Sequence, residues 1–379
     1  MEKATRQRFG RGNERVGLLP ALLCLLALLP RAHAARSQEF RIAEPGYEFS
    51  FPRDHGSHPG FRTEWWYYTG HLEARSGKRY GFEVTFFRVG VDPNAEGKRT
   101  AWDLTDLALA HFAVSDLDEE EFRYYERLNR VSPFTADARE GRLDVFNEGW
   151  RTSMLPDGSI ALEARADGDA ISLNLAPRKP PAIHGENGVS VKALGRGYAS
   201  HYYSLTRLEA RGTITIEGRT EPCSGLAWMD HEFGSAVLRE NQTGWDWFSV
   251  QLDDDTELML YAIRKNDGTP DVTSSGSFVA ADGSVVHLAH TAFRIRAIGS
   301  WKSVRSGATY PMGWIIEVPS LDLRLEIEEE MKAQELMTQA STQVTYWEGA
   351  VRVSGRVGSI AVRGAGYVEM TGYDRPFRR

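Results

Sequence analysis

Four short stretches of the sequence combine titratable side chains with aromatic residues, glycine or proline, and these are the candidates for chemistry. They are Asp54–Pro59 with the Glu64–Trp66 run behind it, Pro180–Gly188, His201–Leu205 and Trp228–Gly234. In the last stretch, Asp230 follows two apolar residues, and His231 and Glu232 come directly after it. A carboxyl group buried among apolar residues loses its hydration, which raises its pKa. This stretch therefore predicts a carboxylic acid, Asp230, that keeps a proton near neutral pH.

The elements that would position these residues occur twice in the chain. A Trp-rich segment that begins at Glu64 and ends at Arg88 has a counterpart that begins at Gly244 and ends at Arg264. The aligned residues are Trp65 and Trp245, Tyr67 and Trp247, Leu72 and Leu252, and Arg88 and Arg264. Their offset of 180 residues is far longer than the roughly 20–50 residues of solenoid and propeller repeats. Each copy is therefore predicted to be a whole domain.

The body of the chain has the alternation of apolar and polar residues that is typical of β-strands. Examples are Thr213–Glu217, Leu321–Ile327 and Val351–Val353, and Asp-Gly or Ser-Gly pairs separate many of these runs. Only Met331–Met337 is predicted to form a short helix. Many short antiparallel strands around an apolar interior indicate a sandwich or a barrel, and an eight-stranded barrel has room for one small ligand.

The motifs of this chain resemble those of the exported family that groups AttH-like proteins with carotenoid hydratases (CrtC, or hydroxyneurosporene synthase). The motifs are Glu64–Tyr67, His184-Gly185, His201–Ser204, Asp230–Gly234, Gly244–Trp247 and Gly364–Glu369. The resemblance extends from about Tyr47 to Tyr373 and implies an all-β fold of two tandem lipocalin-like (calycin) antiparallel β-barrels. The expected domains are 44–238 and 239–379, with a boundary near 235–243. Glu232 stands where the hydratase motif has asparagine, so the AttH-like branch is the closer one.

Resemblance to the hydratases implies the addition of water to an alkene, in which Asp230 protonates carbon and aromatic faces stabilise the carbocation. Tyr202 or His231 would orient the water. The candidate catalytic residues are Asp230, His231, Glu232 and Tyr202. The candidate ligand-binding residues are Trp65, Trp66, Tyr67, His55, His184, His201, Trp245 and Trp247. No phosphate loop, dinucleotide motif or cofactor lysine signature is evident, so no cofactor is expected.

Other interpretations of the same residues remain open. Asp230 and Glu232 are equally consistent with ion pairs to Arg88, Arg264 or another arginine, and the aromatic residues with an ordinary core. His55 and His58 are the histidines that could join His184, His231 or Asp230 in a zinc site. The spacing of a metalloprotease helix and the Gly-x-Ser-x-Gly elbow of a hydrolase are both missing from the sequence. A metal is therefore not part of the preferred interpretation.

The first 34 residues have the features of a cleaved signal peptide. A basic segment precedes the apolar run Val16–Pro30, and Ala32–Ala34 supplies small residues for cleavage. The run is shorter than the ~20 residues that span a bilayer, so export to the periplasm or the outside of the cell is expected. Removal of residues 1–34 changes the net charge from −7 to −11, which disfavours nucleic acid and anionic lipid headgroups as partners. Cys223 is then the one remaining cysteine.

Two functions of different classes follow from these observations. The first is a cofactor-independent lyase that protonates an alkene of an isoprenoid or another lipid. The second is a lipocalin-like carrier of a hydrophobic ligand that serves an ABC transport system, as the AttH-like resemblance implies. The acidic cluster at 230–232 favours the lyase, whereas the departure from the hydratase motif favours the carrier. The sequence leaves the ligand and the oligomeric state undetermined.

Overall fold

A computed structural model of the protein describes residues 39–93, 104–235 and 238–377. The predicted signal peptide, 1–34, lies outside these residues. The described chain consists of 25 β-strands and two short 3-10 helices, Arg53–His55 and Pro319–Leu321, and it holds no α-helix. Among the described residues there is no helix both long and apolar enough to cross a bilayer.

The first sheet contains 13 antiparallel strands. These are β1 Thr63–Ala74, β2 Arg79–Gly90, β3 Asp106–Asp116, β4 Glu121–Arg130, β5 Ala136–Ala138, β6 Asp144–Asn147, β7 Trp150–Met154, β8 Ile160–Ala166, β9 Asp169–Pro177, β10 Ala182–Ile183, β11 Ser190–Val191, β12 Ala199–Ile216 and β13 Arg219–Gly234. Their order is β4-β3-β2-β1-β13-β12-β9-β8-β7-β6-β5, with β10 and β11 beside β12. Side chains connect the two ends of this order, since Asn129 Nδ2 of the edge strand β4 donates over 2.8 Å to Asn147 Oδ1 of β6, the neighbour of the other edge strand β5. The sheet is therefore a nearly closed barrel.

The second sheet contains ten antiparallel strands, and a separate pair lies beside it. The ten are β14 Gln242–Leu252, β15 Glu257–Lys265, β16 Ser275–Val279, β17 Val285–Ala289, β18 Arg294–Ala297, β21 Trp314–Val318, β22 Leu323–Glu329, β23 Glu335–Thr338, β24 Val344–Val357 and β25 Ile360–Thr371; the pair is β19 Ser300–Lys302 with β20 Thr309–Pro311. The order is β17-β16-β15-β14-β25-β24-β22-β21-β18, with β23 beside β24. The predicted all-β fold of two tandem lipocalin-like antiparallel barrels is confirmed.

The strands that carry the sequence repeat occupy equivalent places in the two sheets. Strand β1 lies between β2 and the last strand β13, and β14 lies between β15 and the last strand β25. Tyr67 on β1 is opposite Asp230 on β13, and Trp247 on β14 is opposite Glu369 on β25. The 180-residue offset thus relates strands with the same neighbours.

The predicted short helix at Met331–Met337 is wrong, because this segment enters strand β23. Leu336 is fully buried and lies opposite Tyr346 of β24. Glu335 is also buried, and it accepts hydrogen bonds from Ser303 Oγ over 2.6 Å and Tyr310 Oη over 2.9 Å. These contacts are long-range, and they override the local helix propensity of the segment.

Three clusters of buried apolar residues account for most of the packing. One fills the first barrel around Trp66, Phe82 and Trp150, and another fills the second barrel around Trp314 and Trp347. The third lies between the barrels and contains Tyr67, Leu117, Tyr202, Trp228, Trp247, Met259, Tyr261, Ile263, Ala350 and Tyr367. We call this third group the inter-barrel cluster.

Truncation of Leu260 in the second barrel is expected to destabilise the protein by about 2–5 kcal/mol. Leu260 is fully buried, so Leu260→Ala removes transfer free energy and leaves a cavity. Leu194→Ala is the matched control, because Leu194 is 66% exposed and its loss should change stability by no more than ~0.5 kcal/mol. Urea unfolding measures both, and equal effects of the two variants would contradict the core assigned here.

Candidate functional site

Residues 228–234 belong to β13, and the alternation of a strand places neighbouring side chains on opposite faces. Trp228 faces the inter-barrel cluster, whereas Met229 belongs to the core of the first barrel. Asp230 contacts Tyr202 of the inter-barrel cluster, and His231 contacts Glu64 on the first-barrel side. The adjacent residues Asp230 and His231 therefore serve two different sites.

The Asp230 carboxyl group is 4% exposed and accepts hydrogen bonds on both oxygens. Tyr202 Oη donates to Oδ2 over 2.6 Å, Trp228 Nε1 donates to Oδ1 over 2.6 Å, and Ser204 Oγ donates to Oδ1. Burial raises the pKa of Asp230 to about 7, although these three hydrogen bonds act in the opposite direction. Asp230 is thus a buried carboxyl group with a raised pKa, which is what the sequence predicts.

The ion pairs of this region leave Asp230 without an arginine partner among the described residues. Arg88 pairs with Glu64 and Asp106 instead, and Arg264 pairs with Asp246. Glu232 has a different environment, because Lys192 Nζ lies 3.0 Å from its carboxylate and Ser200 Oγ donates to it. Glu232 is a paired carboxylate, whereas Asp230 is held by neutral donors alone.

His184 connects the hydrogen bonds of Asp230 to the second barrel. Its Nε2 lies 2.6 Å from Ser204 Oγ, and its Nδ1 lies 2.9 Å from Ser277 Oγ on β16. Burial lowers the pKa of His184 to about 3, so the imidazole is neutral. Since Ser204 donates to Asp230, it accepts from His184, which assigns the proton of the neutral ring to Nε2.

Aromatic side chains from both barrels surround this carboxyl group. Trp247 Nε1 donates to Tyr202 Oη over 3.1 Å. The Trp247 ring meets Tyr67 edge to face at a centroid distance of 5.2 Å and Trp228 at 6.2 Å. Trp65 and Trp245 pack against the same cluster and are only partly buried. Such rings can stabilise a cation through their negative faces.

Three further carboxyl groups lie at this junction, and sequence reasoning missed all of them. Tyr67 Oη donates to Glu348 Oε1 over 2.6 Å, and Thr85 Oγ1 donates to Glu83 Oε1 over 2.5 Å. Burial raises the pKa of Glu83 to about 7 and that of Glu369 to about 8, and it raises the pKa of Glu348 well above the ordinary value. No ion pair to a described lysine or arginine compensates these groups, so at neutral pH Glu348 and Glu369 are largely protonated and Glu83 is protonated in part.

A signal for one of these acids is present in the sequence. The spacing Gly225-x-x-Trp228-x-Asp230 returns as Gly364-x-x-Tyr367-x-Glu369, and both runs lie on the last strand of their sheet. Glu369 is therefore the second-barrel equivalent of Asp230. Glu83 and Glu348 carry no comparable local pattern, because their proximity depends on the pairing of distant strands.

The remaining predicted residues form a second network on the first-barrel side. His55 Nδ1 lies 2.7 Å from Tyr203 Oη, and His231 lies 3.1 Å from the same hydroxyl and 2.9 Å from Glu64 Oε1. Trp66 stacks on His231 and donates to the His55 carbonyl over 3.0 Å. His201 lies nearby and contacts the Gly188 carbonyl. The structure thus brings Asp230, Glu232, Tyr202, Trp65, Tyr67, His184, Trp245 and Trp247 together between the barrels and separates them from His231, His55, Trp66 and His201.

The described residues include one group with the geometry of metal ligands, formed by His58, Glu64 and His231. Their ligand atoms lie within 4.8 Å of one another. However, Glu64 Oε2 already accepts from Arg88 Nε over 3.0 Å and from Ser57 Oγ over 3.0 Å. A carboxylate that is neutralised by arginine is a poor ligand for a divalent cation, so the group fits a hydrogen-bonded network better than a metal site. Of the histidines considered for zinc in the sequence, His58 and His231 converge in this group, whereas His184 lies on the opposite face of the sheet.

A cleft of about 720 Å³ opens beside the inter-barrel cluster. His71, Leu117 and Ala365 are among its lining residues, and Leu117 belongs to the cluster. His71 lies against Tyr367, with a ring centroid distance of 5.7 Å. The volume lies within the roughly 300–1,000 Å³ that is usual for small-molecule sites. Asp230 does not line the cleft, so a ligand in the cleft would reach it only after side chains of the cluster move.

Loss of Arg88 is expected to destabilise the protein by about 3–5 kcal/mol. Arg88 is 4% exposed and pairs with two buried carboxylates, so Arg88→Met leaves their charges uncompensated. Arg324→Met is the control, because Arg324 and its partner Glu317 are about 40% exposed and such pairs contribute ~0–1 kcal/mol. Chemical unfolding gives both values. A loss below 1 kcal/mol in Arg88→Met would disprove the importance of this ion-pair network.

Replacement of Glu83 by glutamine is expected to remove part of the pH dependence of stability. Its pKa is about 7 in the folded protein and 4.5 ordinarily, so the folded state keeps a proton that the unfolded chain releases. The resulting stabilisation is complete below about pH 4.5 and is lost as the pH rises through 7. As the pH rises from about 4 to 8, the unfolding free energy of Glu83→Gln should increase relative to that of wild type by on the order of 3 kcal/mol. Denaturant unfolding at both pH values tests this, and Glu163→Gln on the exposed side of β8 is the control. If the unfolding free energy changed equally with pH in wild type and in both variants, the prediction would be refuted.

Comparison with known proteins identifies one family and several solved structures to which this chain is similar. Residues 42–373 match the family model described as AttH-like. An AttH protein of Nitrosomonas europaea is 33% identical, with a TM-score of 0.79 over 88% of this chain and 99% of that one. Kievitone hydratase of Nectria haematococca is 15% identical, with a TM-score of 0.68 over 89% and 96%. CghA in complex with Sch210972 is 13% identical, with a TM-score of 0.55 over 89% and 97%. The last two establish a shared fold, and no curated protein sequence matches significantly.

Proposed function

The chain belongs to the AttH-like family, and from this we propose that it is a cofactor-independent hydro-lyase. Its substrate would be a hydrophobic isoprenoid or another lipid with a carbon–carbon double bond, to which it adds water. Asp230 would be the acid–base group of the reaction, with Tyr202 as its hydrogen-bonding partner. Export through the predicted signal peptide, to the periplasm or the outside of the cell, is part of the proposal.

The observation that carries this proposal is the environment of Asp230. Its carboxyl group is buried, lacks an arginine or lysine partner among the described residues and has its pKa raised to about 7. A general acid–base catalyst works best when its pKa is close to the working pH. The rings of Tyr67 and Trp247 on the same junction supply the faces that a carbocation requires.

The related structures support the reaction class. Kievitone hydratase shares the fold of two barrels over nearly its whole length, and its name describes the addition of water. At 15% identity this likeness concerns the fold, so the substrate of that enzyme is a guide for experiments and not an assignment. The cleft beside the inter-barrel cluster supplies a place from which a hydrophobic substrate would approach.

Replacement of Asp230 by asparagine tests the proposal. The purified mature chain is incubated with neurosporene and with kievitone in isotope-labelled water, and the hydrated products are identified by mass spectrometry. Asp230→Asn should lower kcat/KM by at least about 100-fold, since it removes the acid–base group, while binding of the substrate persists. Asp116→Asn is the control, because Asp116 is equally buried at the end of β3 and binds main-chain amides. Equal turnover by wild type and Asp230→Asn would remove Asp230 from the mechanism.

A carrier of hydrophobic ligands that serves an ABC transporter is the second candidate function. It is favoured by the position of Asp230 outside the lining of the cleft. Mass spectrometry of an organic extract from the protein, purified from its producing cells, separates the two. A bound saturated lipid together with an absence of turnover would support the carrier, whereas a bound polyene and its hydrated product would support the lyase.

A further inference from the structure

We propose that Glu348 is the proton donor of the inter-barrel site and that Asp230 accepts the proton of the attacking water. This inference rests on the proposed hydro-lyase function and divides its acid and base roles between the two barrels. Glu348 belongs to β24 of the second barrel, and Asp230 belongs to β13 of the first.

The hydrogen bonds of Asp230 arrange it as an acceptor. The indole N–H of Trp228 can only donate, and it points to Oδ1 over 2.6 Å. Tyr202 Oη accepts from the indole of Trp247, so its own proton points to Oδ2. Ser204 accepts from neutral His184 and donates to Oδ1. Each of these donors stabilises the carboxylate form of Asp230 over the acid form.

The surroundings of Glu348 favour the protonated carboxylic acid. Its side chain is 1% exposed, and Oε1 accepts a hydrogen bond from Tyr67 Oη over 2.6 Å. Oε2 has no hydrogen-bond partner among the described residues. A neutral carboxylic acid is less costly here, with Oε1 as the carbonyl oxygen and Oε2 as a hydroxyl whose proton has no acceptor among the described residues and is available to a substrate. A carboxylate would leave a buried negative charge with a single donor, which is costly.

The groups around Glu348 strengthen this preference. Glu369 lies opposite it in the pairing of β24 with β25. Burial is the main reason for the raised pKa of Glu348, and the neighbouring carboxyl groups raise it further, whereas the hydrogen bond from Tyr67 lowers it. The titratable groups that face Glu348 are Glu83, Glu369, Asp230, Tyr67, Tyr346 and Tyr367. All of them are acids, and among the described residues no lysine or arginine forms an ion pair with Glu348.

Tyr67 lies between Asp230 and Glu348. It lies opposite Asp230 in the pairing of β1 with β13, and it donates across the junction to Glu348. Trp247 meets the Tyr67 ring and also donates to the Tyr202 hydroxyl that binds Asp230. A double bond held against Tyr67 and Trp247 would therefore have an acid from one barrel and a base from the other within reach.

The chemical step balances with these two groups. The π electrons of the alkene take the proton from Glu348 Oε2 and form a C–H bond, which leaves a carbocation on the adjacent carbon and a carboxylate on Glu348. Water forms a C–O bond to the carbocation, and its excess proton passes to Asp230. One proton then returns from Asp230 to Glu348, which restores both groups.

The protonation of Glu348 is tested without substrate by infrared spectroscopy of the whole protein at about pH 7. Several acids of the junction contribute carbonyl absorption at this pH, and one band should be lost in Glu348→Gln but kept in Glu83→Gln, Glu369→Gln and Asp230→Asn. Carbonyl absorption in Glu348→Gln that is identical to that of wild type would overturn the inference. Because this measurement involves no alkene, it remains decisive for Glu348 even when the proposed hydration itself fails.

Turnover of neurosporene as a function of pH assigns the two roles. Activity requires protonated Glu348 and ionised Asp230, so the profile should be bell-shaped. Glu348→Gln should lower kcat by at least about 100-fold and abolish the basic limb, whereas Asp230→Asn should abolish the acidic limb. Loss of the basic limb in Asp230→Asn would reverse the roles, and unchanged limbs in Glu348→Gln would reduce Glu348 to a structural residue; either result overturns the proposal. An absence of turnover in wild type overturns the proposed function instead.

Tyr67→Phe provides an independent variant in case Glu348→Gln does not fold. It removes the hydrogen bond that lowers the pKa of Glu348, so the basic limb should move to higher pH while the acidic limb stays in place. A basic limb that does not move would count against Glu348 as the donor. Thermal unfolding of each variant identifies effects that are due to stability alone.

Discussion

The central strands of the junction are buried on both faces, and the rest of the structure depends on this constraint. Strands β1, β12 and β13 line the first barrel with one face and pack against the second barrel with the other. Alternate residues of one strand therefore belong to different cores. This divides the titratable residues into a first-barrel network around Glu64 and an inter-barrel group around Asp230.

The two groups of acids are stabilised by opposite means. Glu64 is a carboxylate because Arg88 and two histidines surround it, and its pKa is well below the ordinary value despite burial. Glu83 and Glu348 have no ion pair to a described lysine or arginine, so burial raises their pKa and favours the protonated form. The first arrangement fixes the structure, because every lone pair has a donor. The second retains exchangeable protons next to aromatic rings, which is a requirement of acid–base chemistry.

Much of the fold could be predicted from the sequence, because it depends on patterns that are local or repeated. The pairs Trp65 with Trp245 and Tyr67 with Trp247 predict two related barrels, and the apolar residues before Asp230 predict a buried acid with a raised pKa. Local sequence patterns are insufficient where long-range contacts determine the secondary structure or the position of a side chain. Met331–Met337 forms a strand because β24 pairs with it, and Glu348 approaches Tyr67 across 281 positions of the chain. Adjacency in the sequence groups His231 with Asp230, whereas in the strand the two side chains point to opposite faces.

The repeat also explains how one junction can hold two carboxyl groups with different properties. Asp230 and Glu369 occupy equivalent positions on the last strands of their sheets, opposite Tyr67 and Trp247 respectively. On the neighbouring strand, the residue opposite Asp230 is Ser204, a donor, whereas the residue opposite Glu369 is Glu348, another acid. A serine stabilises the carboxylate form of its neighbour, and a second acid destabilises it. Together with Trp228, which donates to Asp230 where the second barrel has Tyr367, this difference favours the carboxylate at Asp230 and the acid at Glu348, as the proposed division of roles requires. In the proposed mechanism, two copies of one barrel, packed face to face, would thereby supply both halves of an acid–base pair.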